Sequence, residues 1–277
     1  MNKKIKELKK KSIELKIDVI KMLDKAGSGH VGGAFGMAEI FTLLYNEIAN
    51  IDPKKPDWKE RDYILVSNGH ICPIWYAILA NIGYFDRKKL DKLRKVDSLL
   101  QGHPKINIPG VENSSGMLGH GLSQAVGVAL GLKMKKMKNK VFCIMSDGEQ
   151  QEGQTWEAAM SASKYFLDNL VGIIDYNKIQ IDGNISDIMP LGDLKNKYED
   201  FGWMVLDVNG HNIEHLLSCF EFVNKIKKQP TLIIAHTTPG KGVDFMENKF
   251  EYHDWTDDGE EVKEALRQLR QKLSDLY

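Results

Sequence analysis

The sequence predicts an α/β protein with a mostly parallel central sheet and helices on both faces. Three observations predict it. Short apolar runs rich in β-branched residues, VFCIM (141–145), NLVGIID (169–175) and PTLIIAH (230–236), have the length and composition of strands buried on both sides. About a dozen residues of helix-forming character (154–166) separate the first two runs, giving a strand–helix–strand unit. Polar or turn-forming residues follow the strands at once, as at Asp147-Gly148, Asn177 and Asn68-Gly69. In an open parallel sheet, ligands bind outside the carboxyl ends of the strands.

Taken in order, residues 2–24 carry apolar positions at helical spacing, and Met1 begins a charged helix. AGSGHVGGAFG (26–36) holds five glycines and His30, and a helix pattern resumes over 37–48. A Gly-rich loop opening a helix lets backbone N–H groups approach an anion. RDYILVSNGH (61–70) reads as a strand and tight turn ending in His70, and Pro73 suits the first position of a helix. Residues 86–97 read as a charged helix. A glycine-punctuated loop with His103 leads through Gly119 and Gly121 into a helix of about 15 residues. Its small residues Ala125, Gly127, Ala129 and Gly131 predict close approach to a neighbour. After the 141–181 unit come a strand in 201–212, a helix over 213–227, the strand of 230–236, an irregular loop over 243–257 with His253, and a closing amphipathic helix over 259–276.

With 277 residues, no internal repeat and no low-complexity linker, one domain over 1–277 is the economical reading. Charge is balanced, 38 Lys+Arg against 38 Asp+Glu, so neither a nucleic acid nor an acidic partner is indicated. The lysines at 3, 4, 6, 9, 10 and 11 read as a solvated helix face. Cys72, Cys143 and Cys219 read as reduced core residues. There is no signal peptide and no run of eighteen apolar residues, so a cytoplasmic protein without membrane contact is expected.

Asp147 and Asn177, at the ends of two parallel strands, form a hard-oxygen pair suited to Mg²⁺ or Ca²⁺. Mg²⁺ held by so few protein oxygens usually carries phosphate oxygens too, so a metal–phosphate site is inferred. His30, His70, His103 and His253 stand in loops at strand or helix ends and are the acid–base groups near pH 7. Arg61, Arg87, Arg94, Arg267 and Arg270 all fall in charged segments away from the glycine loops, which leaves few cations to read a substrate phosphate. No GxGxxG opens a strand–helix unit and no Walker A pattern occurs, which disfavours nicotinamide and P-loop nucleotide binding.

The 28 residues between Gly148 and Asn177 resemble the thiamine diphosphate signature, in which GDG is followed after nearly thirty residues by Asn. AGSGHVGGAFGMAEI, SNGH, LQGHP, SSGMLGHGLSQAVGVA, SDGEQQEGQTWEAAM, IIDYNKIQIDG and PGKGVDFMEN, over about 10–260, are similar to the N-terminal section of transketolase as found where that enzyme is split into two subunits. The resemblance implies a thiamine diphosphate-binding fold and transfer of a two-carbon ketol unit from a ketose phosphate to an aldose phosphate. It implies that Asp147, Asn177 and the carbonyl of Ile179 hold Mg²⁺, with Ca²⁺ as a substitute, on the cofactor diphosphate. Gly148 and His70 would face the diphosphate. His30 and His253 would reach the reacting carbonyl, with His253 also near the diphosphate, and His103 would bind the donor's terminal hydroxyl. Gly116 and Leu118 would line the cofactor's ring region, and Glu152 and Glu157 match glutamates at the subunit interface.

The family's second domain supplies the glutamate that protonates the aminopyrimidine and most arginines that grip the sugar phosphate. The resemblance therefore implies a separate partner chain with pyrimidine-binding and C-terminal domains, self-association across the cofactor interface, and a heterotetramer. Ser146, His120, Tyr176, Pro239, Asp254 and Trp255 depart from the pattern and leave room for an unusual sugar. A non-catalytic homologue and the cofactor-binding chain of a 2-oxoacid dehydrogenase are the competing readings. Asp147, Asn177 and the four histidines argue against the first, and LQGHP, SNGH and EGQTWEAA against the second.

Overall fold

The structure is a computed structural model and describes residues 3–256 and 259–277. The expected helix start at Met1 lies outside the described residues. The first helix, α1 (Lys3–Ala26), buries Ile5, Leu8, Leu15, Val19, Ile20 and Leu23. Its lysines are not simply solvated. Lys4 pairs with Glu47, Lys11 donates to Asn46 Oδ1 at 2.5 Å, and Lys10 lies 3.1 Å from the ring centroid of Tyr277, so the charged face ties down neighbouring segments.

The glycine-rich stretch is partly helical, as α2 (Gly32–Gly36), followed by α3 (Ala38–Leu43) and a π-turn over Leu44–Ile48. Close packing explains the glycines there: a methyl at Gly33 would sit 2.9 Å from the Ile71 side chain. Strand β1 (Tyr63–Val66) leads through a 3₁₀ turn into α4 (Cys72–Ile82), with Pro73 in its first turn. The expected charged helix over 86–97 shrinks to a 3₁₀ turn, Arg87–Lys92. Within this segment only Leu90 and Leu93 are buried, too little apolar surface to hold a three-turn helix.

Helix α5 (His120–Met134), β2 (Val141–Ser146), α6 (Gly153–Lys164) and β3 (Leu170–Tyr176) follow as expected. Gly127 and Gly131 do not bring α5 close to another element of this chain, since their Cβ positions are open. The hairpin β4 (Ile179–Gln180) and β5 (Gly183–Asn184) comes next, then α7 (Ile185–Ile188) and α8 (Leu194–Asp200), none of them anticipated. The chain closes with β6 (Met204–Asn209), α9 (Ile213–Val223), β7 (Thr231–His236) and α10 (Glu260–Ser274).

The sheet has the order β1-β2-β3-β7-β6 and every pair is parallel. Strand side chains alternate between two cores. Val66, Phe142, Ile144, Ile173 and Ile233 pack under α1, α3, α4 and α9, whereas Leu65, Cys143, Met145, Ile174 and Leu232 pack under α5, α6 and α8. Ser146 is level with Asp175, and Tyr176 with His236, so the carboxyl ends of β2, β3 and β7 form one rim. The three cysteines are buried and unpaired. Among the described residues no helix is long and apolar enough to cross a membrane.

Candidate active site at the carboxyl rim of the sheet

Asp147 follows β2 and is almost wholly buried. Its carboxylate accepts hydrogen bonds from the Gly148 N–H at 2.8 Å and the Lys178 N–H at 2.5 Å, which joins the turn after β2 to the turn after β3. Lys178 has φ +65°, a left-handed turn residue between β3 and β4. Asn177 is fixed from both sides: its Oδ1 accepts from the Ile179 N–H and its Nδ2 donates to Asp175 Oδ2, each at 2.9 Å. Asp175 also accepts from the Thr237 hydroxyl, so the residue that follows β7 braces the same acid. Burial, with Asp175 nearby, pushes the Asp147 carboxyl up to about 8, and burial pushes Asp175 up to about 6. Among the described residues no cluster of three or more His, Cys, Asp or Glu side chains is placed to hold a metal. A cation here would take one carboxylate with an amide and a main-chain oxygen.

The four histidines come from four separate loops and meet. The His30 ring centroid lies 5.3 Å from that of His70, 6.5 Å from His103 and 5.4 Å from His253, and His70 and His253 are 5.2 Å apart. His253 joins through a short bridge in which the Gly29 N–H donates to the Trp255 carbonyl at 2.9 Å and the Trp255 N–H to the Gly29 carbonyl at 2.8 Å. Burial and the neighbouring charges hold the ring pKa values low. His30 falls to about 4, His70 falls well below its usual value, and His103 falls through burial and the charge of Arg94. His253 also falls through burial, against the pull of Asp254. All four are therefore neutral near pH 7, each able to donate from one ring nitrogen and accept at the other.

Gly116 brings the 115–119 loop against this cluster. With φ +154° it takes a backbone that favours glycine, and a methyl there would stand 3.3 Å from the His103 ring. Leu118 is half-buried in the same loop and its carbonyl faces the His120 ring nitrogen at 3.2 Å. Glu152, the residue before α6, and Glu157, within it, are exposed, and the Glu152 side chain lies against Gly119.

Several residues at the rim escaped the sequence reading. Glu149 is fully buried; its carboxylate accepts from the Ser67 hydroxyl, from the Gly119 N–H at 2.7 Å and from the Ser146 N–H at 3.2 Å. It thus links the ends of β1 and β2 to the start of α5. The amide of Asn68 and the hydroxyl of Ser115 are buried with no hydrogen-bond partner, and the Ser115 hydroxyl packs against Gly69. An acid closing an apolar run, as Asp175 does in NLVGIID, is the signal that could have drawn attention to that residue. One expectation is overturned. Arg94 does not lie away from the glycine loops: its guanidinium donates to Ser28 Oγ at 2.8 Å and lies beside Gly29 and Gly102.

The chain matches the family described as "Transketolase, thiamine diphosphate binding domain" over residues 8–274. It is 39% identical over 258 residues to one of the subunits of apulose-4-phosphate transketolase from Phocaeicola vulgatus, covering 93% of this chain and 92% of that one. It is 39% identical over 251 residues to a 6-deoxy-6-sulfo-D-fructose transketolase subunit of a Clostridium species, covering 90% and 91%. The transketolase of Campylobacter jejuni superposes with a TM-score of 0.89 at 32% identity, over 98% of this chain and 43% of that one. The chain thus spans somewhat under half the length of that enzyme and nearly all of the two subunits. A parallel sheet with this loop constellation, matched along almost its whole length, makes the chain a member of the transketolase family, corresponding to its N-terminal, thiamine diphosphate-binding part.

Proposed function

We propose that the chain acts with Mg²⁺ and a separate partner chain to transfer a two-carbon ketol unit from a ketose phosphate to an aldose phosphate. The observation that carries this reading is the meeting of four histidines on the rim that also holds Asp147 and Asn177. The residues fit the implied cofactor. Asp147 and Asp175 are buried acids that a cation would keep ionised, and Asn68 and Ser115 offer unpartnered polar atoms. Asp147, Asn177 and the Ile179 carbonyl would hold Mg²⁺ or Ca²⁺, Gly148 and His70 the diphosphate, and Gly116 and Leu118 the ring region.

When bound, thiamine diphosphate supplies the carbanion chemistry. His30 and His253 hydrogen-bond the sugar carbonyl oxygen and pass a proton to or from it, which their neutral state allows. His103 orients the terminal hydroxyl. Glu152, just before α6, and Glu157, on it, are exposed and would face the second chain. The names of the Phocaeicola and Clostridium relatives, both subunits of similar length, support the two-chain arrangement, with self-association and a heterotetramer as its assembled form. They also favour a second reading of the substrate, an unusual sugar, because each is named for one.

Calorimetric titration with thiamine diphosphate, with and without Mg²⁺ and the partner chain, tests the reading. Metal-dependent binding is expected, and no binding under any of these conditions would leave a non-catalytic homologue. Transfer from xylulose 5-phosphate to ribose 5-phosphate at a rate matching other pairs would dismiss the unusual sugar.

A further inference from the structure

We propose that Arg94 reads a tetrahedral oxyanion, phosphate or sulfonate, on the sugar that enters beside His30 and His103. This deepens the sugar-transfer reading and rests on it. The guanidinium sits in a built slot. It is hydrogen-bonded to Ser28 Oγ at 2.8 Å, and methyl groups at Gly29 and Gly102 would stand 3.6 Å from its Nη1 and 3.1 Å from its Nε. Two side-chain-free residues therefore flank one cation.

The backbone is committed to this placement. Arg94 has φ +59°, a conformation that residues with a side chain rarely adopt, and its N–H is bonded to the Leu100 carbonyl at 3.0 Å. Among the described residues no carboxylate oxygen lies within 4.0 Å of the guanidinium, although Arg61, Arg87 and Arg267 each hold one. A guanidinium has five N–H donors in a planar fork suited to phosphate, and a single serine hydroxyl uses one of them. Arg94 and His103 line a cavity of about 690 Å³ together with Lys105, a second cation, and Asp97, the one acid among its lining residues. An anionic sugar terminus in this cavity would meet Arg94 and Lys105 while the rest of the molecule reached His103 and His30.

The test compares Arg94→Gln and Arg94→Lys with the wild-type chain in the loaded two-chain enzyme, using erythrulose as a neutral donor against a phosphorylated and a sulfonated ketose. Losing one charge-assisted contact should lower the anionic-to-neutral ratio of kcat/KM by about ten- to a hundredfold in Arg94→Gln. Arg94→Lys should retain part of it. A fall for only one anion would identify which oxyanion the site takes. A ratio that does not move, or an equal loss on all three donors, overturns the proposal.

A second readout needs no turnover. Ribose 5-phosphate should shift the His103 and His30 imidazole NMR signals of the wild-type chain, ribose should not, and Arg94→Gln should weaken the response about tenfold or more. If no ketose is turned over but this difference is seen, the transferase reading fails and the anion site stands. If Arg94→Gln responds like wild type, the anion site fails whatever the activity.

Discussion

Replacing Glu149 with glutamine gives the most exacting check on the architecture of the rim, because it needs neither cofactor nor partner. Burial raises the Glu149 carboxyl from 4.5 to about 7, even though three donors at Ser67, Gly119 and Ser146 pull it down. In the folded chain the group holds a proton that the unfolded chain has already released between these two values. Stability contributed by that proton is full below about pH 4.5 and is lost as pH rises toward 7. The loss is about 1.4 kcal/mol per unit, hence about 3 kcal/mol across the window. The side chain of Glu149→Gln cannot titrate, so subtracting the variant's unfolding free energy from the wild type's cancels the other groups and leaves this one. Denaturant unfolding between pH 5 and 8 should show that difference falling with pH by a few kcal/mol, with the variant worst at the acid end. A flat difference, or one that rises with pH, would refute the claim that a buried, high-pKa carboxyl ties β1 and β2 to α5.

Other expectations concern single side chains of the rim. His103→Ala should raise KM for the donor far more than it weakens thiamine diphosphate binding; calorimetry showing the reverse would reassign His103. Asp175→Asn leaves Asn177 Nδ2 facing an amide that must also meet the Thr237 hydroxyl, so Mg²⁺-dependent cofactor affinity should drop by about ten- to a hundredfold, read by titration at fixed cofactor. His30, lowered to about 4, should keep a neutral imidazole NMR signature from pH 8 down to about pH 5, and its contribution to stability should disappear as pH falls from 6.5 toward 4. Gly116→Ala puts a methyl 3.3 Å from the His103 ring on a backbone that alanine rarely adopts, so it should impair donor binding with little change in the unfolding midpoint of the core.

Elements that short-range forces decide are legible in the sequence, and those that depend on distant packing are not. The runs 141–145, 169–175 and 230–236 were legible as strands because strands buried on both faces need continuous apolar residues, and β2, β3 and β7 fall there. The start of α4 beside Pro73 and the 15-residue α5 were legible for similarly local reasons. The 86–97 segment misled, because charge and helix propensity persist there without an apolar face to hold a helix. The hairpin β4–β5 is two residues per strand, too short to leave a period.

By itself the sequence determined that Asp147 and Asn177 would end adjacent parallel strands, and that four loops would each carry a histidine. Only the tertiary structure decided that the other three imidazoles gather 5.3–6.5 Å from that of His30, and that Asp175 rather than the sequence-adjacent Tyr176 holds Asn177 in place. It also decided that Arg94, which local composition assigns to a charged surface segment, turns back through a left-handed residue onto Gly29 and Gly102. Periodicity reports which way a side chain faces along its own element. It carries no information about which loops, separated by tens to hundreds of residues, the sheet will bring to one rim.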